Sequence, residues 1–170
     1  YKIRDSDVEA MIMYGHISNE LIDNGVISSQ RIPHLILRDH LDSIKKFIQN
    51  GRNVVIYGDM GNGKSIMLRE LQAYLSTSSI ESFYIADIEG DYIGDIDLIA
   101  KSGKRSAIHV DGYERHIDLI THFSGSLPDN ISIIATSRTA EHERLKSELH
   151  SLGFEYNEIC VDSLSANEST

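Results

Sequence analysis

The chain has 170 residues, 41% of them hydrophobic, enough to bury a core and a natural size for one domain. Its 26 acidic and 16 basic residues give a net charge of −10, and with no dense Lys/Arg run this disfavours a nucleic-acid surface. One cysteine, Cys160, excludes an internal disulfide, and no apolar stretch approaches the roughly 20 residues of a membrane helix; a cytoplasmic location without a membrane partner is expected.

In chain order, Ser6-Asp7-Val8-Glu9 reads as a capping box, and Val8, Met11, Ile12, Leu21 and Ile22 keep helical spacing until Asn24-Gly25. A helical segment with its linker is expected over residues 1–35. The stripe Leu37, Leu41, Ile44 and Ile48 predicts a second helix over residues 37–49, stopped by Asn50-Gly51. The apolar run 53–57 then reads as the first strand. Leu68, Leu71 and Leu75 predict a following helix that ends at Ser76-Thr77-Ser78-Ser79. Strands are expected at 82–86, 107–111, 131–136 and 158–161, with helices at 92–100, 113–123 and 140–152 between them. Alternation of this kind predicts a parallel α/β sheet with a ligand crevice at the carboxyl ends of its strands.

Between the first strand and its helix, Gly58-Asp59-Met60-Gly61-Asn62-Gly63-Lys64-Ser65 fits G-x-x-x-x-G-K-S/T, the phosphate-cradling loop of nucleoside triphosphatases. The glycines let backbone N–H groups converge on an anion, which the helix N-terminus also favours. Lys64 is expected to reach the β- and γ-phosphates and Ser65 to ligate magnesium, with Ile66 completing the nucleotide-contacting set. The predicted ligands are ATP or ADP with Mg2+.

Two further motifs belong with this loop. The strand Ser106-Ala107-Ile108-His109-Val110 runs into Asp111, a dry mount for a magnesium-positioning carboxylate, although apolar strands ending in Asp also begin ordinary turns. Three residues on, Glu114 is a candidate to polarise an attacking water; a first-turn glutamate favoured by the helix dipole would look the same. The run Ile131-Ser132-Ile133-Ile134-Ala135 ends in Thr136-Ser137-Arg138, where Arg138 is placed to neutralise γ-phosphate charge. The expected catalytic set is Lys64, Asp111, Glu114 and Arg138.

Together these motifs resemble the STAND class of signal-transducing ATPases, which contains the NACHT and NB-ARC domains. Asp111-Gly112-Tyr113-Glu114 is similar to the NACHT form of the second motif, and Thr136-Ser137-Arg138 to the sensor strand whose arginine reads the γ-phosphate. Val161-Asp162-Ser163-Leu164-Ser165-Ala166-Asn167-Glu168 is similar to the passage into the family's small helical domain. The resemblance covers residues 38–168 and implies a three-layer P-loop NTPase domain over 36–165, with a five-stranded parallel sheet in the order 5-1-4-3-2 behind an N-terminal helical extension. Residues 166–170 would begin a linker to a further helical domain. It also implies a slow nucleotide switch in innate defence or programmed death, partnered by other domains of a larger chain and by nucleotide-dependent homo-oligomerisation. The start at Tyr1 without methionine and the polar ending fit a piece of such a protein.

The match departs from the family at Arg115, where many NACHT domains carry a second acid, and at Thr139, where a proline often follows the arginine, so the subgroup stays open. The rivals are an AAA-type ATPase acting on DNA and a small-molecule P-loop kinase. The peptide at residues 31–38 occupies the family's adenine-contacting position, or is a plain linker. The histidines lack matched metal-ligand spacing, and His109 reads as a satisfied core histidine. The acids Asp87, Glu89, Asp91, Asp95 and Asp97 read as a solvated face, and Cys160 as a small hydrophobe.

Overall fold

β-Branched and apolar runs form the strands of one sheet, and helices with a single apolar stripe cover it. The computed structural model describes residues 4–6, 40–85, 90–123 and 127–162. The capping-box helix, the 31–38 peptide and the segment beyond Asp162 lie outside these residues, apart from the first helical residues at 5–6. In chain order the elements are α1 (Leu41–Gln49), β1 (Val54–Gly58), α2 (Lys64–Leu75), β2 (Glu81–Tyr84), α3 (Tyr92–Lys101) and β3 (Ser106–Val110). A 3-10 turn (Tyr113–Arg115), α4 (Ile117–His122), β4 (Ile131–Arg138), α5 (Thr139–Ser151) and β5 (Asn157–Cys160) follow.

All strand pairs are parallel, and the sheet order is β2-β3-β4-β1-β5, the expected 5-1-4-3-2 read from the other edge. Side chains alternate across the sheet, and each face buries its own core. Val54, Ile56, Ala107 and Ile134 pack under Leu41, Ile44 and Ile48 of α1 and Met67, Leu68, Leu71 and Leu75 of α2. Val55, Ile108, Val110, Ile133 and Ala135 face Ile96 of α3, Leu119 and Ile120 of α4, and Leu145 and Leu149 of α5. Helices on both sides of a central sheet make the three-layer α/β architecture, and at its centre β1 and β4 are buried along nearly their whole length.

Two local readings change. The helix expected over 113–123 is instead the 3-10 turn, a break at His116 (φ −130°) and the short α4. Tyr113, 1% exposed, turns into the core, where its hydroxyl meets His142 Nδ1 of α5 at 2.9 Å, and this inward pull interrupts helical progression. β4 extends beyond the expected Thr136 to Arg138, because Thr136, Ser137 and Arg138 pair with Ile56, Tyr57 and Gly58 of β1.

Candidate functional site

β1 delivers Gly58 to the carboxyl edge of the sheet, and α2 starts at Lys64. The loop between them turns through Gly61 (φ 87°) and Gly63 (φ 75°), left-handed values costly for any residue with a Cβ. Yet a Cβ at either position would meet nothing within 4 Å, so the space beside the loop is open at both. Lys64 Nζ folds over it and donates to Gly58 O at 2.8 Å and Asp59 O at 2.7 Å. Burial lowers the Lys64 pKa from its ordinary value, while Asp111, Asp162 and Asp59 act to raise it and Arg138 adds to the lowering. The ammonium is thus held by backbone carbonyls inside a ring of charges, at the mouth of the open loop.

Sheet register brings the other motifs to the same edge. Gly58 pairs with Arg138 across β1 and β4, and Val110 pairs with Ala135 across β3 and β4, which sets Asp111 beside Thr136. The buried Thr136 hydroxyl donates to Asp111 Oδ1 at 2.5 Å and accepts the Gly112 N–H at 2.9 Å. From β2, the Tyr84 hydroxyl donates to Asp111 Oδ2 at 3.3 Å, and the Arg69 guanidinium of α2 lies 3.6 Å from the Tyr84 ring centre. Burial, followed by the neighbouring Asp111 charge, raises the Tyr84 phenol pKa and keeps it a donor. Two hydroxyls from two strands therefore fix the orientation of the Asp111 carboxylate. Glu114, on the 3-10 turn, accepts from the buried Ser137 hydroxyl at 3.0 Å, one residue before Arg138, whose side chain is exposed.

Ser65 is exposed in the first turn of α2 and Met60 is 73% exposed on the loop. Ser65 and Asp111 supply a hydroxyl and a carboxylate. That donor set suits magnesium, which at phosphate sites takes one or two protein oxygens and fills the rest of its shell with phosphate and water. Among the described residues no cluster of three or more His, Cys, Asp or Glu side chains could hold a metal without such help. An open groove of 810 Å³ along β2, lined by residues such as Gln72, Ile80, Phe83 and Lys104, sits at the amino ends of the strands, away from this edge.

Several contributors escaped the sequence reading. Tyr84 carries no motif of its own, and Thr136 and Ser137 were legible only as part of the arginine's strand end, not as the groups that hold Asp111 and Glu114. Asp162 was legible only as part of the 161–168 segment, yet its carboxylate accepts the Asp59 N–H at 2.8 Å. Cys160 departs from the expected small hydrophobe: it is exposed and its thiol donates to Asp162 Oδ2 at 3.1 Å. His109 is fully buried but half satisfied, its Nε2 lying 2.8 Å from Ser82 Oγ while Nδ1 has no hydrogen-bond partner among the described residues. Asp91 is exposed, as the solvated-face reading expects, and it also caps α3 by accepting the Gly94 N–H at 3.1 Å.

No protein-family model and no curated protein matches the chain. Among solved structures it is similar to the Aeropyrum pernix ORC1 protein in complex with DNA, with a TM-score of 0.58 and 14% identity over 85% of this chain and 50% of that one. The S. cerevisiae Hsp104-ADP complex aligns with a TM-score of 0.55 and 12% identity, over 87% of this chain and 30% of its own. The Aeropyrum pernix ORC2 protein, in ADPNP-ADP complexes, gives 0.54 and 11% over 86% and 53%. The chain spans about half the length of these proteins or less. At such identities the likeness establishes the fold, which is that of the P-loop NTPases.

Proposed function

We propose that the chain is a nucleotide-binding switch domain that takes ATP or ADP with Mg2+ at the loop Gly58 to Ser65 and hydrolyses ATP slowly. The observation that carries this is the strand register: Gly58 beside Arg138 and Asp111 beside Thr136 gather the open loop, a cation and an oriented carboxylate at one sheet edge. In this reading Lys64 leaves the Gly58 and Asp59 carbonyls for the phosphates, exchanging two neutral acceptors for charged ones. Arg138 meets charge on the terminal phosphate, and Glu114, released from Ser137, orients water. Ser65 and Asp111 would hold the magnesium ion, whose contribution is neutralisation of phosphate charge.

The finer reading is a STAND-type domain occupying residues 36–165 of a larger signalling ATPase. Its support is the Asp111-Gly112-Tyr113-Glu114 and Thr136-Ser137-Arg138 pair of motifs, with the Glu114 to Ser137 contact linking them. A second reading, an AAA-type ATPase acting on DNA, is favoured by the likeness to ORC1 bound to DNA and opposed by the net charge of −10.

Titration with fluorescent ADP and ATP, alongside turnover measurements, tests the assignment. Wild type should bind both nucleotides; Lys64→Ala should lose binding at least tenfold, and Glu114→Gln should keep binding while turnover falls about a hundredfold or more. Arg138→Ala should lower ATP affinity more than ADP affinity. Absence of wild-type binding at millimolar nucleotide would overturn the proposal, whereas stimulation of turnover by duplex DNA would select the second reading.

A further inference from the structure

The chain leaving β5 is clamped to the start of the phosphate loop. Val161 donates its N–H to Tyr57 O at 2.8 Å, and the approach is so close that a Cβ on Gly58 would lie 2.9 Å from Val161 Cγ2 and 3.0 Å from Asp162 Oδ1. Four contacts then converge on Asp162. Its Oδ1 accepts the Asp59 N–H at 2.8 Å and the Thr139 hydroxyl at 3.3 Å, its Oδ2 accepts the Cys160 thiol at 3.1 Å, and its backbone carbonyl accepts the Asn62 side-chain amide at 3.3 Å. The Cys160 thiol and the Asp59 amide hold its pKa below the usual carboxylate value. Asp59 and Asn62 belong to the loop, and Thr139 directly follows Arg138.

From this convergence we propose that Asp162 is a positioning residue for nucleotide binding, a brace whose carboxylate oxygen fixes the first turn of the phosphate loop and ties it to the start of α5 beside Arg138. Asp59 is the second residue of the loop, and its N–H is turned toward the chain leaving β5, whereas the Asn62 N–H bonds back to Asp59 O at 3.4 Å. The same Oδ1 holds both the loop and the residue after the arginine. Lys64 loses its contact to Asp59 O when it turns to a phosphate, and among the described residues the Asp162 bond to Asp59 N–H then remains as a side-chain restraint on that residue. The requirement is for an acceptor at Oδ1, not for charge, because a negative group near Lys64 opposes a polyphosphate. The proposal rests on the nucleotide reading for its effect on affinity, though not for the contact itself.

Asp162→Asn keeps the acceptor and Asp162→Ala removes it. Titrated with fluorescent ADP in magnesium buffer, Asp162→Ala should bind about tenfold more weakly than wild type, the effect of losing the acceptor that holds the Asp59 N–H. Asp162→Asn should bind at least as tightly as wild type, more so at low salt. Because Asp162 is exposed, the nucleotide-free melting temperatures of both variants should stay near that of wild type. Amide exchange read by NMR separates this proposal from the nucleotide reading: the Asp59 N–H should be protected in wild type and Asp162→Asn and exchange faster in Asp162→Ala, whether or not nucleotide binds. Equal ADP affinity for the Ala and Asn variants, or unchanged Asp59 exchange in Asp162→Ala, would overturn the brace. Failure of the wild type to bind with the exchange difference intact would overturn only the nucleotide reading.

Discussion

Thr136 joins two parts of the site through one atom. Its buried Oγ1 is donor to Asp111 and acceptor for Gly112 N–H, so Thr136→Val, nearly isosteric, strips both bonds at once. The buried Gly112 amide would then lose its acceptor, and the half-buried carboxylate would keep the Tyr84 hydroxyl but lose the Thr136 one. The expected loss is about 1–3 kcal/mol of stability, read as a lower urea midpoint at unchanged slope. On the proposed nucleotide reading, magnesium-dependent turnover should fall further than ADP affinity, since the carboxylate loses its aim while the loop is untouched. At this scale the sequence points to chemistry where a residue type has few other uses at its position. Lys64 after Gly63 is such a case, whereas Asp111 points to magnesium only beside the phosphate loop, because apolar strands ending in Asp also begin ordinary turns. It carried little about Tyr84 and Ser137, because a tyrosine or serine near a strand end is common, and only register reveals that they reach Asp111 and Glu114.

At the scale of elements, strand existence and order were legible while boundaries slid. Buried strands of a parallel sheet read as continuous apolar runs, which is why β1, β3 and β4 were recognisable. The end of β4 beyond Thr136 was not, since Ser137 and Arg138 belong to the strand through pairing with β1 and not through hydropathy. Nor could periodicity anticipate the break at His116, which follows from the Tyr113 hydroxyl reaching His142 on another element. The close passage of β5 over β1 gives a prediction of its own. Gly58→Ala would force its Cβ against Val161 and Asp162 at 2.9–3.0 Å and should cost about 1–3 kcal/mol, seen as a lowered melting temperature. Gly61→Ala meets no neighbour and bears only its φ of 87°, so its cost should be smaller, about 1 kcal/mol. If the two variants melted alike, crowding between β1 and the exit of β5 would not be the reason Gly58 is glycine.

At the scale of the molecule, three buried histidines among the described residues give the fold a slope in pH that runs opposite to any simple benefit from reducing its net negative charge. Burial, with a smaller push from Arg69, takes the pKa of His109 down to about 3, against about 6.5 for an exposed histidine. His116 is lowered by burial and then by Arg115, with Asp118 and Glu114 opposing. His142 is lowered by burial against the pull of Glu158; it is stacked on Tyr57, meets Tyr113 and Tyr156 edge-on and has Lys146 close by. A histidine held neutral when folded lets the unfolded chain bind the extra proton. Its stabilising contribution is therefore complete above the unfolded value and is lost as pH falls below about 6.5. Depressed carboxylates act with the same sign at lower pH. Burial raises Glu158, but Lys146 and His142 outweigh it and hold the group low, so its contribution is present above the ordinary carboxylate value and lost as pH falls through the folded one. Urea midpoints measured from pH 7.5 to 4.5 should be flat at the top and then fall. His109 alone supplies a slope of up to about 1.4 kcal/mol per pH unit once the unfolded histidine is protonated. His109→Gln, which cannot titrate but still offers a partner to Ser82, should be less stable than wild type at pH 7.5 and should narrow that gap as pH falls. Parallel curves for the two proteins would show that His109 accepts its proton without unfolding, and the burial of its ring would then not be what sets the acid limit of the fold.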